Sequence, residues 1–224
     1  MIRKSRALFF ILFCIQLIIC LFIFADNTEN GDIFTTIDFL FAYNLGSVVL
    51  LPMAVLVCYK TVSFYNTSCF FTRFGSARRY YLFLNKKICL SALLFVLGFG
   101  FSALIGMICM IGIDGMAVLY LANRLVLLFL GCVFVGVLIQ IACAIFKSWI
   151  TAVLVVLALL ALEFFSNAFF APYPFSLVGM FIFNNELTLA ELLQFLAVAV
   201  VIWLAGLYFS SSFVESVKGR QNEA

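Results

Sequence analysis

Residues Lys60–Lys87 read KTVSFYNTSCFFTRFGSARRYYLFLNKK. The stretch holds Lys60, Arg73, Arg78, Arg79, Lys86 and Lys87 and no acidic residue, and long apolar runs lie on both sides of it. Basic loops between membrane spans stay on the cytoplasmic face, because moving several Lys and Arg across the bilayer is unfavourable. A loop of this size therefore fixes the orientation of every span around it. It is also the one segment large enough to grip a cytoplasmic partner.

The chain around the loop has the composition of an integral membrane protein. It is 67% hydrophobic and 10% charged, against about 45–50% and about 25% in soluble domains. Too little polar surface remains to cover a core in water. A helix needs about 20 apolar residues to cross the hydrocarbon layer, and six runs qualify. Phe39–Tyr59 enters the basic loop and Ile88–Ile113 leaves it. Ala7–Phe24 precedes them, and Leu125–Phe146, Ile150–Phe165 and Leu192–Ser212 follow. Ala7–Phe24 is longer than the h-region of a signal peptide and lacks a small-residue cleavage site, so it reads as a retained span. The expectation is an all-α, six-span polytopic fold, with residues 1–224 as a single transmembrane domain.

Charge sets the direction of the spans. Arg3, Lys4 and Arg6 stand at the start, Lys147 in the fourth-to-fifth turn, and Lys218 and Arg220 in the tail. Asp26–Asp38 carries only acids, and Ser166–Glu191 carries Glu186 and Glu191 without a base. With both termini and the basic loop cytoplasmic, every Lys and Arg except Arg124 falls on one side. Arg124 reads as lying at the membrane edge, after a turn at Asp114–Asn123.

Within the spans, Gly98, Ser102 and Gly106 recur every four residues, a small-residue stripe that lets another helix approach closely, within the subunit or between two. Pro52 predicts a kink. Glu163 is an intramembrane carboxylate and a candidate for a pathway or gating role. The segment Phe164–Asn185 is apolar but broken by Pro172 and Pro174, which reads as short re-entrant helices dipping into the outer leaflet. The absence of histidine removes the commonest general base and metal ligand. The eight cysteines show no C-x-x-C spacing and read as small apolar packing residues. No phosphate loop for ATP is present. These features point away from an enzyme and away from a metal or cofactor bound by the chain itself.

The loop divides at Gly75. Before it, Phe70, Phe71 and Phe74 flank Arg73 in a short aromatic segment. After it, Ser76 is placed to cap a helix carrying Arg78 and Arg79 toward the third span. Six spans, inside termini, a dominant second-to-third loop with Thr-Arg-Phe-Gly-Ser-Ala-Arg-Arg-Tyr-Tyr (Thr72–Tyr81) and a broken segment before the last span resemble the small permease subunits of type-2 ABC exporters. The likeness is greatest to those of bacteriocin, lantibiotic and antimicrobial-peptide export or immunity systems of Gram-positive bacteria. It covers the whole chain in architecture and about ten residues in motif.

The resemblance implies a multi-pass protein of the bacterial cytoplasmic membrane and a coupling helix in the basic loop. Phe70, Phe71, Arg73, Phe74 and Gly75 would contact or shape the groove of a separate ATPase, and Arg78 and Arg79 would flank that contact. It also implies ATP and Mg on an ATPase dimer, a second permease, the same or related, and a peptide cargo. Two other readings stay open. A substrate-binding subunit of a vitamin importer has a similar span number, though the first span here lacks the Ala-x-x-x-Ala docking pair of that class. A membrane immunity or scaffold protein that transports nothing also fits. An intramembrane protease of the prenyl-protease kind would need histidines and a Glu-Glu pair, which are missing.

Overall fold

The computed structural model describes residues 2–26, 32–42, 45–65, 74, 76–110, 112, 114–146, 148–169 and 189–208. Every regular element among them is helical: α1 (Ile2–Asp26), α2 (Ile33–Leu40), a π-helical turn (Gly46–Leu50) running into α3 (Leu51–Tyr65), α4 (Ala77–Met110), α5 (Gly115–Phe146), α6 (Trp149–Phe169) and α7 (Leu189–Tyr208). Among the described residues, three stretches are long and apolar enough to cross a membrane: Phe9–Asp26, Arg78–Cys109 and Gly115–Phe146. Val48–Ser63, Ile150–Ser166 and Leu196–Tyr208 are shorter apolar helices. The outward faces are apolar as well, with Phe22 71% and Ile150 69% exposed, a surface suited to lipid rather than water.

Local chemistry sets several helix ends. Ser76 Oγ accepts from Arg79 N–H at 3.3 Å to start α4, as the sequence predicts. Asp114 Oδ1 accepts from Met116 N–H at 3.2 Å at the start of α5, and Ser148 Oγ from Thr151 N–H at 3.4 Å at the start of α6. α4 stops at Gly112, whose φ of 106° is open to glycine and whose N–H donates to Met107 O at 2.9 Å.

α3 is central. It packs on α4, α5, α6 and α1 and is buried nearly all round, through Leu51, Met53, Ala54, Val55, Val57, Cys58 and Val62. A Cβ on Gly136 of α5 would overlap Ile88 Cγ2 of α4 and lie 3.2 Å from Cys58 Sγ of α3. Cys58 also donates to Cys132 O at 3.6 Å. Neighbouring contacts give the helix directions. Gly98 meets Phe13 and Gln16 while Gly106 meets Phe24, so α1 and α4 run parallel. Gly100 meets Leu125 while Gly136 meets Ile88, so α4 and α5 run antiparallel.

Several boundaries differ from those the apolar runs predict. The run Phe39–Tyr59 is divided, because Phe39 and Leu40 belong to α2 and the next helix starts beyond Phe41. Pro52 stands just past the π turn. Proline offers no N–H to the carbonyl four residues back and crowds it, and a widened turn accommodates that misfit. The basic helix and the third span are one 34-residue helix, about 51 Å long at 1.5 Å per residue. α5 begins ten residues before the predicted fourth span and carries Arg124 in its interior. α6 runs on to Phe169, and the rest of the broken segment to Asn185 lies outside the described residues.

The Gly136 contact can be measured. Gly136→Ala should cost about 1–3 kcal/mol through overpacking, more than the gain of under about 1 kcal/mol in helix propensity. Gly115→Ala, where a Cβ meets nothing within 4 Å, should be neutral or stabilising. Thermal unfolding in detergent compares the two, and equal midpoints would contradict the packing described.

Candidate functional site

The start of α4 is the described part of the basic loop. Phe74 lies two residues before the Ser76 cap. Its ring centroid is 4.7 Å from Phe83 and 5.8 Å from Tyr80, and its carbonyl accepts from Ser76 N–H. An apolar side chain just before a cap that packs on the helix's first turns fixes the angle at which the chain enters. Phe74 is thus half-buried against its own helix, which limits what it offers a partner. Phe70, Phe71, Arg73 and Gly75 lie outside the described residues.

Arg78 and Arg79 occupy the first turn of α4 and are exposed, with no acid in that turn. The N-terminus of a helix already carries partial positive charge. Two guanidiniums there make an electropositive face that suits phosphate or carboxylate groups. Lys87 adds its ammonium 5.4 Å above the Phe83 ring. Beneath the charged surface Tyr80 and Tyr81 are buried, anchoring this end of α4.

At the opposite end of the bundle stands a polar cluster that sequence reasoning missed. Arg124 Nη2 donates to Asp38 Oδ1 at 3.1 Å and to Tyr120 Oη at 3.0 Å. Tyr120 Oη donates to the same carboxylate oxygen at 2.5 Å. Arg124 is 3% exposed and Asp38 29%. The guanidinium sits 5.3 Å from the Tyr120 ring centroid, and Phe34 closes edge-on against that ring at 5.7 Å. The cluster ties α2 to α5. A detectable signal was present: Arg124 is the one base on the acidic side, one helical turn from a tyrosine.

The other predicted residues fall elsewhere. The stripe on α4 faces α1: a Cβ on Gly98 would lie 3.3 Å from Gln16 Oε1, and one on Gly106 2.6 Å from Phe24. Ser102 between them is fully buried and donates back to Gly98 O at 2.9 Å. Between the two helices lies a cleft of about 390 Å³, lined by Phe9, Phe13, Gln16, Leu94, Phe95 and Gly98 among others. Glu163 is 1% exposed within α6, far along the chain from either charged cluster. Among the described residues, Phe74, Arg78 and Arg79 stand at the start of α4, the stripe faces α1, and Glu163 is buried in α6.

No protein-family model, curated protein or solved structure matches the chain.

The Asp38–Arg124 pair makes a quantitative prediction. Arg124→Met strands a partly buried carboxylate and should cost about 3 kcal/mol, the low end for a broken buried pair because Asp38 is part-exposed. Adding Asp38→Leu should recover more than half of that loss, since neither charge is then left alone. Unfolding in mixed micelles reads both variants, and a single variant as stable as the parent would contradict the structural role.

Proposed function

We propose that the chain is the membrane-spanning permease subunit of an ATP-driven exporter of the type-2 ABC kind. It crosses the bacterial cytoplasmic membrane six times with both termini inside. It pairs with a second permease, the same or related, and is driven by a separate ATPase dimer that binds ATP and Mg. The cargo is a bacteriocin-like peptide.

The observation that carries this reading is α4. One unbroken helix begins at the electropositive loop, about 51 Å from its other end, and packs along its length against α1, α3 and α5. The hydrocarbon core is about 30 Å thick, so a helix of this length reaches into the cytoplasm and still spans. Motion of the loop is passed to three neighbours without an intervening hinge. The helix directions support alternate crossings, because α1 and α4 run together and α5 runs against them. Lys60, Arg78, Arg79, Lys86 and Lys87 then share one end of the bundle, and Asp26, Asp32, Asp38 and Asp114 the other.

The mechanism is a population shift. ATP binding closes the two ATPase subunits, the loop follows, and the paired permeases move from an inward-facing to an outward-facing arrangement. The electropositive first turn of α4 meets lipid phosphate or acidic groups of the ATPase at the cytoplasmic surface. An ATPase is expected to co-purify with the chain in mild detergent. The combined variant Phe70→Ala, Arg73→Ala and Phe74→Ala should cut its recovery about tenfold or more, consistent with the loss of two or three interface anchors, while helicity is retained. Full recovery together with full ATP-driven peptide flux in vesicles would overturn the assignment.

A further inference from the structure

One helical turn from the Ile88–Gly136 contact, antiparallel α4 and α5 bring Asn85 and Gln140 to the same level of the bundle. Tyr81 stands one turn further along α4. Gln140 is 0%, Tyr81 2% and Asn85 9% exposed. Yet Tyr81 Oη and both polar atoms of each carboxamide have no hydrogen-bond partner among the described residues. Tyr81 lies beside the Asn85 side chain, but the geometry falls short of a hydrogen bond. Nearby, Thr61 and Ser91 pair across α3 and α4 at 2.8 Å, so polar groups in this bundle do find partners where helices are placed for it.

Buried polar groups in folded proteins are satisfied by protein or by ordered water, and leaving them unpaired in a low dielectric is costly. What lies over this layer is α7. A Cβ on Gly206 would overlap Tyr81 Oη and lie 3.3 Å from Ile141 Cγ1, so only a glycine lets α7 close down here. α7 packs chiefly on α5 and leaves Leu193, Val201 and Leu204 exposed on its outer side. Through Gly206 it covers Tyr81, one of the unpaired groups.

We propose that Tyr81, Asn85 and Gln140 form a neutral hydrogen-bonding site inside the bundle, roofed by α7 at Gly206. When α7 lifts, the site takes a ligand that both donates and accepts hydrogen bonds. Two carboxamides and a phenol carry no net charge, so they match uncharged donor–acceptor groups rather than ions. Water is that ligand in the chain alone. In the exporter it is the backbone amide of the peptide cargo, an occupant that rests on the function proposed above; the water site does not.

Hydroxyl-radical footprinting of the full chain in lipid nanodiscs tests this, because side chains beside bound water are labelled preferentially. Tyr80 is the internal control, being adjacent and also buried, at 0% against 2% for Tyr81. Tyr81 should label about tenfold faster than Tyr80, since only it faces a hydrated site. Gly206→Ala should raise the Tyr81 rate by forcing α7 outward. Gln140→Leu, which keeps the volume and removes the polar atoms, should bring it down toward that of Tyr80 with the thermal midpoint retained. Equal labelling of the two tyrosines in both the parent and Gly206→Ala overturns the proposal. In a second arm a capped, uncharged tripeptide amide is added. Protection of Tyr81 but not Tyr80 supports the peptide occupant. Fast labelling without protection supports the water site and overturns the peptide half. Capture of an ATPase is read separately, so failure here and failure of the exporter assignment are distinguishable.

Discussion

At residue 136 the chain has no side chain, and three helices close on the gap. Ile88 from α4 and Cys58 from α3 occupy the space a Cβ would take. In lipid the hydrophobic effect does not hold helices together, because the bilayer is as apolar as the side chains; association rests on van der Waals packing and a few interhelical hydrogen bonds. Close approach is therefore the main stabilising term, and it needs small residues where backbones come together. The same device recurs at Gly98 and Gly106, which admit α1, at Gly100, which admits Leu125, and at Gly206, which admits Tyr81. Cys58 serves the same end, filling the space and donating to Cys132 O.

The two ends of the bundle differ in electrostatic character. At one, the buried charge of Arg124 is balanced by Asp38 and steadied by Tyr120 within the chain. At the other, Arg78 and Arg79 stand exposed where the helix dipole adds to their charge. The first arrangement makes a static tie between α2 and α5. The second leaves positive potential directed outward, toward headgroups and the proposed ATPase.

The helical class, the apolar runs and the Ser76 cap were legible in the sequence because each depends on neighbours in the chain. Arg124 was not. Hydropathy treats a charge as the end of a span, and the partner that allows this one to lie inside α5 is 86 residues away. The same limit hid the division of the run at Phe39–Tyr59, since Phe41 and Ala42 are as apolar as the residues on either side. Spacing revealed the small-residue stripe, but its partner helix became known only from the pairing of α4 with α1. For the loop before Gly75, the sequence pattern remains the basis of the reading.

The pairing of α1 with α4 has a consequence for how the chain is made. Gln16 is buried against α4 at Gly98, and the ribosome delivers Gly98 roughly eighty residues after Gln16. At about 5–20 residues per second, some 4–16 s pass between them. During that interval α1 lies in the bilayer without the surface it is built to meet, its carboxamide turned toward lipid or the insertion machinery. Assembly of this protein therefore includes a waiting step, in which α1 stays without its main partner until α4 has been made.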